Sequence, residues 1–188
     1  MSALPDRLRQ ETRSAHEQTE QLFYTEALQN GTLTVDQYKH LLRTHLLFHR
    51  ALETAIEQHP HFFRDYQLET RRKAPWLLAD LMALHEPLPQ PDSTLLTNWS
   101  PIALLGAAYV GEGSMLGGTV IGRLLQKNPA IQPLLTHARF YQGYGSATGS
   151  QWKTFLSFLT RQSETQADEV VTAARQAFVD YQTVFRQV

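Results

Sequence analysis

The chain has 188 residues, a formal net charge of −1 and no cysteine. This length suits one domain with a sizeable core. The near-neutral charge gives no reason to expect nucleic acid as a partner, and a chain without cysteine cannot form disulfides, cysteine-based zinc sites or thiol nucleophiles. No signal-peptide pattern is visible, so we expect a cytoplasmic protein. The one long apolar window, residues 102–121, contains Glu112 and many glycines, which argues against a membrane span.

Helical periodicity runs along the chain, and no segment alternates like a strand. We therefore predict a single all-α domain over residues 1–188. The first predicted helix ends near Asn30-Gly31, a typical C-terminal signal. Thr34 opens a capping box, which begins a second helix running to about Gln58.

The rest of the chain is predicted to be helical as well. Pro75, at a first helical turn, begins a third helix that ends near His85, before a proline-rich loop. Ser100-Pro101 is a cap followed by proline at the first helical position, and it begins a glycine-rich fourth helix. The prolines within 129–133 mark the start of a predicted fifth helix. After a glycine-rich turn, the remainder is predicted to be helical with a break near Ser163.

Six of the ten glycines lie in the fourth predicted helix. Each glycine inside a helix costs roughly 0.5–1 kcal/mol relative to alanine, so we expect a neighbouring helix or a flat ligand to approach this backbone closely. Helical geometry places the glycines on two stripes. The two stripes are Gly106, Gly113 and Gly117, and Gly111, Gly118 and Gly122. We predict that the first stripe faces a ligand and the second a partner helix, with close helix packing alone as the alternative.

His16 lies on the first predicted helix, with Glu20 one turn later and Arg9 and Arg13 on the same stripe. A carboxylate at this spacing can hold one imidazole nitrogen and thereby fix the tautomer of a metal-ligating histidine. The two arginines could pair with carboxylates of a bound ligand. The alternative is an exposed polar stripe on an amphipathic helix.

On the second predicted helix, His45, His49 and Glu53 lie one turn apart among apolar neighbours. We favour structural histidines here over a metal site. The other histidines are predicted to be solvated: His40, His59, His61, His85 and His137. No histidine follows an acidic residue by three positions, which disfavours a di-iron bundle site. The basic run at residues 71–73 is predicted to be a solvated face.

Two segments together resemble the haem oxygenase family, in particular its bacterial, biliverdin-producing branch. LRQETRSAHEQTE, residues 8–20, is similar to the proximal helix, where an L-[KR]-x-x-T-x-x-x-H pattern presents the iron-ligating histidine. YVGEGSMLGGTVI, residues 109–121, is similar to the distal helix, whose E-G-S-x-L-G-G core bends over the haem. WKTF, residues 152–155, matches a W-x-x-F segment of bacterial members. The resemblance implies a single multi-helical haem-oxygenase-like domain.

The resemblance also implies roles for individual residues. His16 is then the axial ligand of the haem iron and Glu20 its carboxylate partner. Gly113 and Gly117 allow the distal backbone to approach the macrocycle, and Ser114 is a polar group near the distal pocket.

Arg9 and Arg13 match basic positions near the haem propionates, with Lys153 as a second choice of anchor, and Tyr109 is a further cofactor-binding position. The chain departs from the family pattern in two places. Gly111 replaces a larger residue, from which we expect a looser distal helix, and Thr19 replaces a residue that is commonly apolar.

The implied function is cleavage of haem to biliverdin, CO and ferrous iron with O2. Haem is then both substrate and cofactor. Since a distal wall of glycine backbone and one serine offers no acid–base group for heterolytic O–O cleavage, attack on a meso carbon of the haem is the accessible reaction. We expect no tightly bound nicotinamide or flavin, so electrons come from an external donor, a ferredoxin or a reductase.

Three alternatives remain at this point. The first is a non-catalytic haem-binding or haem-trafficking protein on the same fold. The second is the thiaminase-like group, which needs a thiol nucleophile that this chain lacks. The third is a purely structural helical module.

Overall fold

The computed structural model describes residues 3–163 and 165–188, and over these residues the chain forms α-helices and short 3-10 turns without any strand. The helices are α1 (Leu4–Glu11), α2 (Arg13–Leu22), α3 (Thr25–Gln29), α4 (Val35–Glu57), α5 (Leu68–Arg71), α6 (Ala74–Ala83), α7 (Pro101–Lys127), α8 (Thr148–Gln162) and α9 (Ala167–Gln187). The predicted all-α fold is confirmed.

The predicted caps form as the sequence indicates. The Thr34 side chain accepts a hydrogen bond from the Gln37 backbone at 3.2 Å, and the Gln37 side chain accepts one from the Thr34 backbone at 2.9 Å. At the start of α7, the Ser100 hydroxyl accepts a hydrogen bond from the Ala103 backbone at 3.0 Å. The predicted break near Ser163 separates α8 from α9.

The prediction of one continuous first helix is wrong, because this segment forms α1, α2 and α3. The interruption at Thr12 is slight, since its N–H still donates to the Leu8 carbonyl at 3.0 Å. The second interruption is a true turn, with Tyr24 in the left-handed region at φ 61°. Phe23 stacks on Phe185 of α9 with ring centroids 5.0 Å apart. The turn thus coincides with the packing of Phe23 on α9.

The predicted fifth helix does not form. The segment instead makes 3-10 turns at Gln132–His137 and Phe140–Gln142. Prolines at its start remove backbone donors, and a tertiary contact satisfies later ones. The buried carboxylate of Asp80, on α6, accepts hydrogen bonds from the backbones of Arg139 and Phe140 at 2.8 and 2.9 Å.

α7 lies at the centre of the fold and packs most extensively on α9, and also on α4 and α8. Gly106 makes this approach possible, because a Cβ there would lie 2.5 Å from the Val170 carbonyl oxygen and 2.6 Å from the Ala174 nitrogen. α1 and α2 pack on α9 as well. α9 therefore supports both segments that the sequence assigns to the site. None of the described helices has the length and apolar character needed to cross a bilayer.

Candidate functional site

His16 lies on the open side of α2. Its side chain is 54% exposed, and its Nδ1 lies 3.6 Å from the Glu20 carboxylate. The edge of the ring packs on Phe178 of α9, with centroids 5.7 Å apart. The Nδ1 nitrogen is therefore directed to a carboxylate, which leaves Nε2 as the nitrogen available to a metal.

α2 is firmly attached to α9 beneath this histidine. Gln182 donates to the Thr19 hydroxyl at 3.0 Å, and that hydroxyl donates to the Ala15 carbonyl at 2.8 Å. The departure from an apolar residue at position 19 thus has a structural explanation, because the buried hydroxyl is fully hydrogen-bonded. Position 19 fixes the helix that carries His16.

α7 presents an open face, which we define by Tyr109, Gly113, Leu116, Gly117 and Val120. A Cβ at Gly117 would meet no atom within 4 Å, and one at Gly113 would only touch the Trp152 ring, at 3.9 Å. Leu116 and Val120 are large apolar side chains that are 39% and 56% exposed. An exposed apolar strip of this kind, flanked by bare backbone, is a suitable wall for a flat apolar ligand.

The open face of α7 and the His16 side of α2 begin at a common contact. The Tyr109 hydroxyl lies beside the Thr12 side chain, one turn before His16. Burial raises the pKa of Tyr109, while the nearby Thr12 hydroxyl and the Arg9 charge lower it.

The two helices are joined again farther along. α2 continues into α3, which packs on α7, whereas among the described residues α2 and α7 do not pack closely on each other. The space between α2 and α7, with His16 on one helix and Gly113 and Gly117 on the other, is the candidate ligand site, and we refer to it as the cleft.

The Ser114 hydroxyl donates to the Gly111 carbonyl of its own helix at 2.7 Å. Its proton is therefore engaged, and its oxygen lone pairs remain able to accept a hydrogen bond. Ser114 is half-buried beside Gly113. It can receive a hydrogen bond from a ligand or water but does not offer a second proton.

The predicted anchors differ in their surroundings. Arg9 is exposed near Tyr109. Arg13 is exposed as well, but its guanidinium pairs with the Glu17 carboxylate at 2.8 Å. A ligand carboxylate would have to displace Glu17, so Arg13 is a weaker candidate anchor than Arg9. Lys153 is exposed on α8, next in sequence to Trp152.

The two glycine stripes are only partly as predicted. Gly106, assigned to the ligand stripe, packs on α9, and Gly118, assigned to the packing stripe, has no atom within 4 Å of a Cβ. Gly122 does pack, 3.1 Å from the Tyr141 carbonyl oxygen. The expected looseness at Gly111 is wrong, because Leu52 of α4 would lie 2.8 Å from its Cβ. The angular position of a glycine on its helix cannot show whether it packs or stays open, because that depends on which element lies opposite.

The prediction of a solvated basic run at residues 71–73 is wrong for two of its three members. The side chains of Arg71 and Lys73 are 2% and 3% exposed, and both pair with the buried Glu112 carboxylate. Burial lowers the pKa of Lys73, and the Glu112 charge opposes that shift. Arg72 is the outward member and pairs with Glu57 and Glu69. The sequence did contain a signal for this buried pair. Glu112 lies in an apolar helix, and a buried carboxylate requires a cationic partner.

The second histidine group, His45, His49 and Glu53, is buried in the core, as expected for structural residues. His45 lies between the hydroxyls of Tyr181 and Tyr141, and burial lowers its pKa to about 3. Glu53 accepts hydrogen bonds from the backbones of Lys73 and Ala74 at 2.6 and 3.0 Å. This carboxylate thus satisfies the free N–H groups at the start of α6.

The prediction that His40 is solvated is wrong. It is half-buried, and its two ring nitrogens bond to the Tyr24 hydroxyl at 2.7 Å and the Phe185 carbonyl at 2.8 Å. It therefore joins α4 to α9 and to the turn before α3. His61 and His85 are exposed and His59 is partly exposed. The side chain of His137 is not among the parts of the chain that the structure describes.

The sequence of this chain is similar to those of known proteins. A sequence model of the family described as "Heme oxygenase" matches residues 2–187. A heme oxygenase of Xanthomonas campestris pv. campestris (strain 8004) is 32% identical over 171 residues, covering 84% of this chain and 94% of that protein.

Solved structures show the same fold. The NO- and CO-bound heme oxygenase from Neisseria meningitidis has a TM-score of 0.80 and 22% identity, covering 100% of this chain and 92% of that one. The heme oxygenase from Leptospira interrogans has a TM-score of 0.82 and 17% identity, covering 100% of both chains.

Proposed function

This chain belongs to the haem oxygenase family, and we propose that it uses O2 and external electrons to convert haem to biliverdin, CO and ferrous iron. The observation that carries the proposal is the pairing of an exposed, carboxylate-directed His16 with the open glycine face of α7. The proposed setting is the cytoplasm, and the proposed electron donor is a separate ferredoxin or reductase.

The residues present fit haem. A flat macrocycle needs a wall without side chains, and Gly117 has open space where a Cβ would stand. It also needs apolar contacts at its rim, which Leu116 and Val120 can supply from their exposed positions. Its iron needs an imidazole, and His16 offers an exposed ring whose Nε2 is the nitrogen that does not face Glu20. When bound, haem supplies both the iron that activates O2 and the meso carbon that is oxidised.

The chain's own residues have distinct roles in this proposal. His16 would bind the iron through Nε2, while Glu20 would hold Nδ1 and thereby orient the ring. Arg9, Arg13 and Lys153 would pair with the propionates at the edge of the cleft, and Tyr109 would close the end of the cleft next to Thr12.

The distal side would be formed by Gly113, Gly117 and Ser114. Since the Ser114 proton is donated to Gly111, its oxygen would accept a hydrogen bond from a distal water and hold that water in place. This wall offers no carboxylic acid or imidazole that would promote heterolytic O–O cleavage. The absence of such groups from the named wall residues favours oxidation of the macrocycle itself.

The test is a titration of the protein with hemin, followed by addition of a reductant system in the presence of O2. We expect a Soret band at one hemin per chain and then its loss, with the appearance of bilin absorption and bound CO on unreacted haem. A stable Soret band under these conditions would favour the haem-binding or haem-trafficking alternative. Failure to bind hemin at all would contradict both.

A further inference from the structure

Glu112 lies on α7 directly before Gly113, and its carboxylate is buried among four donors. Arg71 Nη1 donates to Oε2 at 2.9 Å, and the Tyr66 hydroxyl donates to Oε1 at 2.9 Å. The Tyr144 hydroxyl lies 3.1 and 3.0 Å from the two oxygens, and Lys73 Nζ contacts Oε1. We refer to these five residues as the Glu112 cluster.

The members of the cluster come from separate parts of the fold. Tyr66 ends a 3-10 turn, Arg71 ends α5, Lys73 precedes α6 and Tyr144 lies in the segment before α8. Arg71 also donates through Nη2 to the Gln151 carbonyl of α8 at 3.2 Å. The next residue of α8 is Trp152, whose ring is the nearest neighbour of a Cβ at Gly113. The cluster therefore connects α7 to both the α5–α6 segment and α8.

Buried ion pairs are rarely the most stable way to fill a core, because apolar residues of similar volume are often as good or better. A buried ion pair can instead specify one arrangement of the packed helices, because a displaced buried carboxylate leaves charged groups without partners. α7 requires a contact of this kind to define its position. Its segment from Gly111 to Gly118 contains four glycines, and the outward ones have no side chain with which to grip a neighbour.

We propose that Glu112 is a positioning residue for the distal wall, and that the Glu112 cluster sets the rotation and axial position of the Gly113–Gly118 segment. The carboxylate is one residue, or about 100°, away from Gly113, so it holds α7 from the side of this glycine. Ser114 and Gly117 would then stand at a defined position relative to a bound substrate. This inference rests on the proposed function, because a fixed distal wall matters only if haem binds beside it. The rigidity of the Gly113–Gly118 segment can nevertheless be measured in the protein without haem.

The first measurement is amide hydrogen exchange of the apo protein, followed over peptides that cover residues 109–118. In Glu112→Gln we expect exchange in this segment to become about tenfold faster, as for the loss of a buried charge-assisted hydrogen bond. Tyr144→Phe removes one neutral donor from the cluster and should produce a smaller acceleration in the same segment. If Glu112→Gln does not fold, Tyr144→Phe alone decides the matter.

Asp80→Asn is the matched control. Asp80 is also a buried carboxylate with two hydrogen bonds, but both come from the backbones of Arg139 and Phe140 and neither from the Glu112 cluster. The segment it holds meets α7 at Gly122, outside residues 109–118. We expect this variant to lose global stability and to leave exchange at residues 109–118 at the parental rate once that loss is taken into account. Equal acceleration of every helix in Glu112→Gln would mean that Glu112 serves stability only, and would overturn the inference.

The second measurement is the distribution of bilin isomers formed from hemin. A displaced distal wall should change the ratio of cleavage at the different meso carbons in Glu112→Gln, with Asp80→Asn keeping the parental ratio. An unchanged ratio and unchanged exchange in Glu112→Gln and Tyr144→Phe would overturn the inference. A parent protein that forms no bilin would instead contradict the proposed function, and the apo exchange data would still report on the cluster.

Discussion

At the scale of single residues, the site depends on what each polar atom is already bound to. The edge of the His16 ring packs on Phe178, which restrains its orientation, and Nδ1 is the ring nitrogen that faces the Glu20 carboxylate. Ser114 shows the reverse case, because its proton is engaged with Gly111. The chemistry open to each residue follows from these contacts rather than from residue type.

We expect His16→Ala to abolish the histidine-ligated spectrum of the hemin complex, and exogenous imidazole to restore it by filling the space left by the ring. Because His16 is more than half exposed, the thermal unfolding of the apo protein should change little. His61→Ala, at another exposed histidine, is the control and should keep the parental spectrum. An unchanged Soret band and hemin affinity in His16→Ala would show that His16 is not the ligand.

The arginine anchors can be ranked by their existing partners. Arg13 must give up Glu17 to bind a propionate, whereas Arg9 stands exposed beside Tyr109. We expect Arg9→Glu to weaken hemin binding severalfold, Arg13→Glu to have a smaller effect, and the double variant also to alter the bilin isomer ratio. Arg186→Glu makes the same charge change at the exposed end of α9 and should leave affinity at the parental value. If the double variant binds hemin as tightly as the parent, Lys153→Glu is the next variant to titrate.

At the scale of elements, α7 uses glycine in two different ways along one helix. At Gly106 the missing side chain admits the backbone of α9, and at Gly117 it leaves open space beside the cleft. The same residue type therefore contributes to packing at one end and to ligand access at the other. The difference appears only when the neighbouring helix is known.

These two uses predict opposite effects in the apo protein. Gly106→Ala should lower stability by about 1–3 kcal/mol, because the new methyl group would overlap the α9 backbone. Gly117→Ala should raise stability by roughly 0.5–1 kcal/mol through better helix propensity, and Gly118→Ala should likewise cause no loss. Chemical denaturation of the three apo variants measures these changes.

A bulkier change at the same position separates folding from binding. Gly117→Leu should keep the apo unfolding temperature and reduce hemin affinity and bilin formation. Parental affinity in Gly117→Leu would show that haem does not approach α7 there. Equal loss of apo stability in Gly106→Ala and Gly117→Ala would contradict the division of the helix into packing and open positions.

At the scale of the whole molecule, the core contains ionisable groups whose protonation is coupled to folding. Burial lowers the pKa of His45 from 6.5 to about 3, and burial lowers the pKa of His49 as well. Both rings are neutral in the folded protein, whereas the unfolded chain takes up protons below pH 6.5. The unfolded state then binds more protons, so stability must fall as the pH falls from 6.5 towards the folded pKa.

We expect His45→Gln to remove part of this acid sensitivity. Each such histidine contributes a slope of up to about 1.4 kcal/mol per pH unit below 6.5, so the variant should show a shallower loss of unfolding free energy between pH 6.5 and 5 than the parent. Denaturant unfolding at several pH values gives both slopes. His61→Gln is the matched control with the parental slope expected, and an identical slope in His45→Gln would mean that His45 is not neutral and buried in the folded state.

The sequence by itself determined the helical class, the caps at Thr34 and Ser100, and the two segments that carry His16 and Gly113. These features depend on spacing along one helix, which local periodicity and backbone donors define. The tertiary structure decided which glycines pack and which stay open, and it buried Arg71 and Lys73 on Glu112, 41 and 39 residues away in the sequence. Such outcomes depend on a partner from another element, because burial, ion pairing and the room for a Cβ are set by what lies opposite and not by the residue's own helix.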